Sequence, residues 1–303
     1  MKVIHYLNRP EYLFRPKQIY HRALLSLQKI ESNPKDVLLP WGVKVRVGSN
    51  PDDKVAYSIW LQGMYDLSLT EVIWRLLTHG ETALDIGANI GYVTSLMASK
   101  VGKSGKVISF EPNPKVYREF CETLDTWRHE QGWSQIELLQ LALSNQSGEG
   151  LLVIPQNNSG EASLISKDDS HKLSAQGLLQ MYSVPKTRLD ESVKVSRIDL
   201  LKVDVEGHEF EVLEGAGEWI SGKRIRDIVF EEHGQYPTKV TKYLESHGYR
   251  IFRIRKGFCK PLLTSPKQQW HHPWEPPNYL ATVNPNRALQ LLSTWGWRSC
   301  RTS

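Results

Sequence analysis

The stretch ETALDIGANIGY at residues 81–92 constrains the fold more than any other part of the sequence. Its first half is mostly apolar and predicts a short buried strand that ends at Gly87. The glycine turn GANIG follows, and the apolar residues after it recur at helical spacing. A strand, a glycine turn and a helix in this order form the nucleotide-binding corner of a doubly wound α/β sheet.

The chemistry of this corner indicates which ligand it binds. Asn89 stands where a dinucleotide fingerprint has its second glycine, so G-x-G-x-x-G is absent. Asp85 would repel a pyrophosphate but suits a ligand with an ammonium group. Glu111 ends the next predicted strand, where an acid can accept hydrogen bonds from ribose hydroxyls. Together with Gly87 and Gly91, these acids describe S-adenosylmethionine; the alternative is a generic strand with incidental acids.

Three motifs, taken in order, resemble the FkbM-type family of S-adenosylmethionine-dependent methyltransferases. They are LDIGANIGYVTSLMA, VISFEPNP and, at residues 200–216, LLKVDVEGHEFEVLEGA. The resemblance covers about residues 80–235. It implies a doubly wound, mostly parallel, seven-stranded Rossmann-like methyltransferase sheet with helices on both faces. It also implies S-adenosylmethionine as cofactor and O-methylation of a hydroxyl on a polyketide, sugar or glycolipid.

Ligands of open α/β sheets bind outside the carboxyl ends of the strands, and this rule selects the candidate cofactor residues. The strand that follows Glu111 is predicted over residues 136–143, and its end usually frames the adenine in this type of fold. The predicted cofactor-binding residues are Asp85, Gly87, Asn89, Gly91, Glu111, Pro112, Ala142 and Leu143.

The sequence Asp204-Val-Glu206-Gly-His208 supplies the candidate catalytic residues. Methyl transfer from a sulfonium to a hydroxyl needs a group that holds the oxygen in line and removes its proton. Asp204 is the first candidate for this base, followed by Glu206 and His208. The alternative is that the two acids cap the next helix. No dedicated metal spacing is present, so no metal site is predicted, although these acids and residues 231–233 could bind a hard cation.

Composition and charge restrict the partners. Of the net charge of +5, all lies within the first thirty residues, and the rest of the chain is balanced. This distribution does not favour a nucleic-acid substrate. A small-molecule or glycan substrate is expected instead. We read no transmembrane segment or secretory signal, and with three widely spaced cysteines the expected location is cytoplasmic.

The chain divides into three predicted parts: an N-terminal cap over residues 1–67, a methyltransferase domain over 68–285 and a tail over 286–303. The cap has a predicted helix at 16–31, which either packs on the domain or contacts a membrane or partner, and a strand or hairpin at 37–47. Within the domain, one helix is predicted at 209–220, and residues 256–278 are expected to join the last two strands.

Two other functions remain as alternatives. One is a nicotinamide-dependent oxidoreductase, and the other is a non-catalytic binding module that retains the methyltransferase fold. The missing dinucleotide fingerprint and Asp85 disfavour the first, and the intact acids and glycines disfavour the second.

Overall fold

The computed structural model describes residue 10 and residues 35–48, 54–155, 162–165, 179–268 and 276–300. The strands in these residues are β1 (Lys35–Leu38), β2 (Lys44–Val47), β3 (Thr82–Ile86), β4 (Lys106–Phe110), β5 (Ile136–Leu139), β6 (Ala142–Leu143), β7 (Gly148–Pro155), β8 (Ser163–Ile165), β9 (Leu179–Thr187), β10 (Ile198–Val203), β11 (Ile225–Glu231), β12 (Arg250–Lys256), β13 (Pro261–Thr264) and β14 (Asn278–Thr282). The helices are α1 (Lys54–Gln62), α2 (Leu67–Leu76), α3 (Tyr92–Val101), α4 (Pro114–Gln131), α5 (Leu189–Ser192), α6 (Glu209–Glu214), α7 (Gly217–Ser221), α8 (Lys239–Ser246) and α9 (Pro285–Ser293).

The central sheet has the strand order β13-β12-β14-β11-β10-β3-β4-β5. The strands from β11 to β5 are parallel, and β12, β13 and β14 form an antiparallel edge. Every residue of β10 is buried, as expected for a central parallel strand covered on both faces. The predicted doubly wound, mostly parallel sheet is confirmed.

This sheet has eight strands rather than the seven that the family resemblance implies. The additional strand, β13, lies in the segment predicted as a simple connection. After β12 the chain turns at Gly257 and pairs back on itself, with Lys256 opposite Pro261. A proline at the first residue of an edge strand is tolerated because no ladder hydrogen bond is lost there.

Helices cover both faces of the central sheet. One apolar cluster contains side chains of α2, α3, α4 and α9, and the other contains side chains of α6, α7 and α8. Helix starts are fixed by side-chain caps: Asp66 accepts from the amides of Ser68 and Leu69, and Asn113 accepts from that of Lys115. Such caps satisfy backbone donors that have no partner within the helix.

A smaller sheet stands beside the central one, in the order β6-β9-β7-β8. It includes part of what the sequence predicts as one strand over residues 136–143. That prediction is wrong: β5 ends at Leu139, the amide of Leu141 bonds back to Leu139, and β6 pairs with β9 instead. The chain therefore changes sheets at the point where it passes the ligand-binding edge.

The single helix predicted at 209–220 is also wrong, because two short helices, α6 and α7, occupy this segment. Gly215 and Ala216 separate them, and glycine is a poor former of helix interiors. At Gly215 a Cβ atom would come within 2.0 Å of the carbonyl oxygen of Ser144. The close contact with the strand end explains why a glycine stands there.

Parts of the predicted N-terminal cap and C-terminal tail have defined structure. The predicted hairpin is confirmed as the antiparallel pair β1 and β2, whereas the helix predicted at 16–31 lies outside the described residues. Within residues 286–303, α9 packs on α2, and Trp297 is completely buried. No helix in the described part of the chain is long and apolar enough to cross a membrane.

Candidate active site

A cavity opens at the carboxyl ends of β3, β4, β10 and β11. Its volume, including open solvent at the mouth, is about 1050 Å³. The polar and charged side chains that line it are Tyr65, Asn89, Tyr92, Glu111, Lys202, Asp204, Glu206, His208 and Glu231. The sheet topology thus brings the predicted cofactor and catalytic residues to one place, as the strand-end rule requires.

The glycine turn forms the floor of the cavity. Gly87 and Gly91 have φ angles of 74° and 85°, in the left-handed region that favours glycine. A Cβ on Gly87 would lie 1.9 Å from the carbonyl oxygen of Asp204, and one on Gly91 would lie 2.3 Å from the ring of Phe120. The glycines are therefore required for β10 and α4 to approach the turn closely. We expected them to make room for the ligand, and the structure gives this different reason.

Asp85 is completely buried and lies behind the wall of the cavity. Its Oδ2 accepts a hydrogen bond of 2.7 Å from Thr94, and its Oδ1 is 3.4 Å from Nζ of Lys202. Burial raises the pKa of Asp85, while the charge of Lys202 lowers it. The described lining of the cavity includes Lys202 but not Asp85, so this acid reaches the cavity through the lysine.

Lys202 contacts residues of both the predicted cofactor side and the predicted catalytic side of the site. Its Nζ donates to the carbonyl oxygen of Gly87 at 2.8 Å and lies 3.4 Å from one oxygen each of Asp85 and Asp204. The Lys202 side chain is only 5% exposed. Burial lowers its pKa, but the two carboxylates outweigh this effect and the net shift is upward, so the side chain stays charged. The charge of Lys202 thus holds two acids close together beside the glycine turn.

Glu111 lies at the predicted ribose position and is tied to the glycine turn. Its two oxygens accept from the amides of Asn89 and Asn113, at 2.8 and 2.9 Å. Burial raises the pKa of Glu111 to about 7, although both hydrogen bonds favour the charged form. A carboxylate can accept about four hydrogen bonds, so capacity for ribose hydroxyls remains. Pro112, also predicted, lines the cavity beside it.

The far wall is apolar and comes from the smaller sheet. Ala142 and Leu143, predicted to frame the adenine, are buried and line the cavity. Leu152 of β7 and Leu164 of β8 continue this wall. A flat apolar ring would find apolar side chains here.

The predicted catalytic acids lie at the open side of the cavity. The Asp204 side chain is 32% exposed, and Glu206 is exposed on a turn where its φ is 53°. Glu231 is the last residue of β11, and its Oε1 lies 3.0 Å from Nε2 of His233. Burial, and after it the charges of Asp204 and Glu206, raise the pKa of Glu231 to about 8. The carboxylates are thus close enough to repel one another.

His208 and Glu209 lie at the start of α6, where the sequence left catalysis and helix capping as alternative roles. The His208 ring contacts the hydroxyl of Ser144 at 3.0 Å, and burial lowers its pKa. The acid that holds the start of α6 is Glu209, whose Oε1 accepts from the amides of Val205 and Gly207. The N-cap residue of α6, His208, makes no side-chain capping hydrogen bond, and the two amides that Glu209 binds precede the helix, so a capping acid is not confirmed in this segment. In the described residues, no group of three or more His, Cys, Asp or Glu has the geometry of a metal site.

Comparison with known proteins identifies the fold family of this cavity. Residues 85–251 match the methyltransferase FkbM domain, which covers more than half of the chain. The chain belongs to the FkbM methyltransferase family. It is therefore a methyl-transferring enzyme of a family that uses S-adenosylmethionine. This finding decides against the nicotinamide alternative.

Individual relatives of this FkbM protein are distant. Hexuronic acid methyltransferase AglP of Haloferax volcanii is 32% identical over 178 residues, which cover 57% of this chain and 66% of AglP. Methyltransferase sdnD of Sordaria araneosa is 29% identical over 201 residues, covering 57% and 74% of the two chains. The solved FkbM methyltransferase of Methylobacillus flagellatus is 16% identical, with a TM-score of 0.44 over 68% of this chain and 47% of that one. The chain thus spans just under two thirds of AglP and about half of the solved protein.

The described residues fit S-adenosylmethionine. Oδ1 of Asn89 is buried beside the cavity and has no hydrogen-bond partner among the described residues, so an acceptor is available for a ligand donor. Four carboxylates line the FkbM cavity, and Lys202 is the single Lys or Arg in the described lining. An excess of negative charge suits a ligand that carries a sulfonium and an ammonium group.

Sequence reasoning missed two residues of this site. Lys202 lies in an apolar strand, and its position two residues before Asp204 on an extended chain was the signal that both side chains share one face. Tyr65 precedes α2, in the part of the chain predicted as a separate cap, and lines the cavity. Burial, followed by the charges of Asp66 and Asp204, raises the pKa of Tyr65. No local pattern in the sequence marks this tyrosine.

Proposed function

We propose that this protein is an S-adenosylmethionine-dependent O-methyltransferase that acts on a hydroxyl of a small molecule, a sugar or a glycolipid. The observation that supports this most is the position of Asp204. Its carboxylate reaches the cavity from the end of β10 and is held by Lys202, next to the glycine turn. The cavity thus has a partly exposed acid beside its predicted cofactor side.

On the cofactor side, the proposed contacts come from the glycine turn and its neighbours. Glu111 accepts hydrogen bonds from the ribose, Asn89 offers its free amide oxygen, and Ala142 and Leu143 pack on the adenine. Asp85 contributes its charge through Lys202. Bound S-adenosylmethionine supplies an electrophilic methyl group on a sulfonium sulfur.

On the acceptor side, Asp204 has the proposed role of base. It accepts a hydrogen bond from the acceptor hydroxyl, orients one oxygen lone pair towards the methyl group and takes the proton as the new C–O bond forms. Glu206, Glu231 and Tyr65 line the same side and are proposed to contact the rest of the acceptor. The similarity to AglP supports a uronic acid or a related sugar as acceptor class.

The test is a methylation assay with labelled S-adenosylmethionine and glycans that end in a hexuronic acid. Asp204→Asn should retain affinity for the cofactor and thermal stability, and its turnover should fall about a hundred- to ten-thousandfold, as for loss of a general base. Full turnover in Asp204→Asn would place the base elsewhere. Activity that a chelator abolishes and magnesium restores would instead make Asp204 and Glu206 metal ligands.

A further inference from the structure

An exposed apolar cluster lies at the antiparallel edge of the central sheet, away from the cavity residues described above. The large hydrophobic side chains exposed in the described residues are Leu38, Tyr57, Met181, Phe258, Leu289 and Trp295. Three of the six, Phe258, Leu289 and Trp295, belong to the C-terminal part of the chain. Trp295 is 78% exposed and Phe258 56%, values that are costly for side chains of this size.

These side chains lie on two turns that touch. Phe258 is in the turn between β12 and β13, and Trp295 follows α9. The amide of Gly296 donates to the carbonyl oxygen of Cys259 at 2.8 Å, and Nζ of Lys260 donates to the carbonyl oxygen of Ser293. Leu289 lies one helical turn before Ser293. We call Phe258, Leu289 and Trp295 the aromatic edge.

The segments of chain that carry the aromatic edge are basic, and acids that contact them, such as Glu71 and Asp227, are buried. Residues 250–268 and 276–300 contain no Asp or Glu, and their basic residues are Arg250, Arg253, Arg255, Lys256, Lys260, Lys267, Arg287 and Arg298. Lys256, Lys260 and Arg298 lie within three residues of Phe258 or Trp295 in the sequence. Exposed aromatic side chains with basic neighbours favour an anionic surface that also accepts apolar groups.

The aromatic edge also lies at the same end of the sheet as the cavity. Asn278 at the start of β14 pairs with Glu231, which lines the cavity. Arg253 of β12 pairs with Tyr279, and β12 then continues to Lys256 and the turn that carries Phe258. A surface that binds this turn therefore lies on the side of the sheet where the cavity is found.

We propose that the aromatic edge docks the enzyme on a membrane surface that contains anionic lipid. Phe258, Leu289 and Trp295 insert at the level of the headgroups, and Lys260 and Arg298 contact lipid phosphates. Phe258 and Trp295 are exposed on turns and Leu289 on α9, with basic side chains beside them, and this combination favours insertion into an anionic lipid surface. A second part, resting on the proposed function, is that the acceptor hydroxyl belongs to a lipid-anchored molecule that enters the cavity from this side.

Sedimentation with lipid vesicles tests the docking without any acceptor. The full chain should bind vesicles of phosphatidylcholine with about 30% phosphatidylglycerol, and should bind pure phosphatidylcholine much more weakly. Trp295→Ala with Phe258→Ala should lower the partition coefficient at least tenfold, corresponding to about 1.4 kcal/mol. Lys260→Gln with Arg298→Gln should lower it about tenfold or more at low salt, and higher salt should remove this difference.

The matched control is Met181→Ala, because Met181 is also 56% exposed but lies on β9 of the smaller sheet. It should bind vesicles like the wild type. Wild-type binding in the aromatic variant would contradict the proposal and assign any membrane contact to the basic N-terminal residues instead. Binding to a single-stranded oligonucleotide but not to anionic vesicles would also overturn it. Vesicle binding with no methylation of any glycan would leave the docking intact and refute only the proposed function.

Discussion

Replacing Lys202 with methionine should make the stability of the protein fall more steeply with rising pH than that of the wild type. Lys202 is the shared partner of Asp85 and Asp204, each with an oxygen 3.4 Å from its Nζ. Methionine fills a similar volume but leaves two carboxylates without their cation. Because both oxygens contact the same nitrogen, they lie no more than about 7 Å apart, where their repulsion is about 2 kcal/mol at an effective dielectric constant of about 20.

The magnitude follows from the burial of the pair. Removing one partner of a buried ion pair costs about 3–5 kcal/mol while the remaining charge stays ionised. In Lys202→Met, Asp85 can avoid this cost by taking up a proton, so its pKa in the folded state should rise further above the unfolded value. A raised acid pKa lowers stability as pH increases from the unfolded pKa to the folded one. The stability gap to the wild type should therefore be about 1 kcal/mol at pH 5 and about 3–5 kcal/mol at pH 8.

Urea unfolding between pH 5 and pH 8 measures this gap. The control is Lys106→Met, which removes a surface lysine 2.9 Å from Glu137. Both partners of that pair are about half exposed, so the control should lose less than about 1 kcal/mol at either pH. A gap for Lys202→Met that is constant across this pH range would refute the coupling between Lys202 and Asp85.

Two further predictions concern neighbouring acids. The affinity of the wild type for S-adenosylhomocysteine should rise up to about tenfold from pH 6 to pH 8, because the ribose hydroxyls bind the ionised form of Glu111, whose pKa is about 7; calorimetry that gives equal affinities would contradict this. Glu209→Ala should lower the free energy of unfolding by about 1–3 kcal/mol, because the amides of Val205 and Gly207 lose their acceptor. In the same urea titration, the surface control Glu130→Ala should change the free energy of unfolding by less than about 0.5 kcal/mol. Equal losses in the two variants would show that Glu209 does not stabilise the turn before α6.

The parts of the fold that the sequence predicted best are those in which local pattern and burial agree. Residues 82–86 are mostly apolar, are followed by Gly87 and form the buried strand β3. The strands β4, β10 and β11 follow the same rule. Because their carboxyl ends share one edge, the sequence also predicted which acids meet there.

The errors arise where distant contacts decide the local structure. Residues 136–143 are continuous in pattern, but β6 leaves the central sheet because β9, more than 40 residues later, provides its partner. Similarly, α6 and α7 separate because Gly215 packs against the carbonyl of Ser144. Neither partner is visible within a short window of sequence.

The candidate site shows the same division. Glu111 was predictable because it follows the second parallel strand of a doubly wound sheet, where an acid can accept hydrogen bonds from the ribose. The role of Lys202 depends on the side chains that it meets on its own sheet, and sequence spacing predicts this contact. The role of Tyr65 depends on how the segment before α2 packs against the sheet, and sequence spacing does not predict that. The left-handed backbone at Glu206 and Gly207 turns the chain before α6, and sequence spacing does not show that Glu209 binds the amides of this turn.

Calorimetric titration of the wild type with S-adenosylhomocysteine and with NAD tests the central claim most directly, because it requires no knowledge of the acceptor. The protein should bind S-adenosylhomocysteine and not NAD. Glu111→Ala should remain folded and bind the ligand about ten- to a hundredfold more weakly, corresponding to loss of a charged hydrogen bond of about 1.5–3 kcal/mol. Tight binding of NAD, or unchanged affinity in a folded Glu111→Ala variant, would contradict the assignment of this cavity to S-adenosylmethionine.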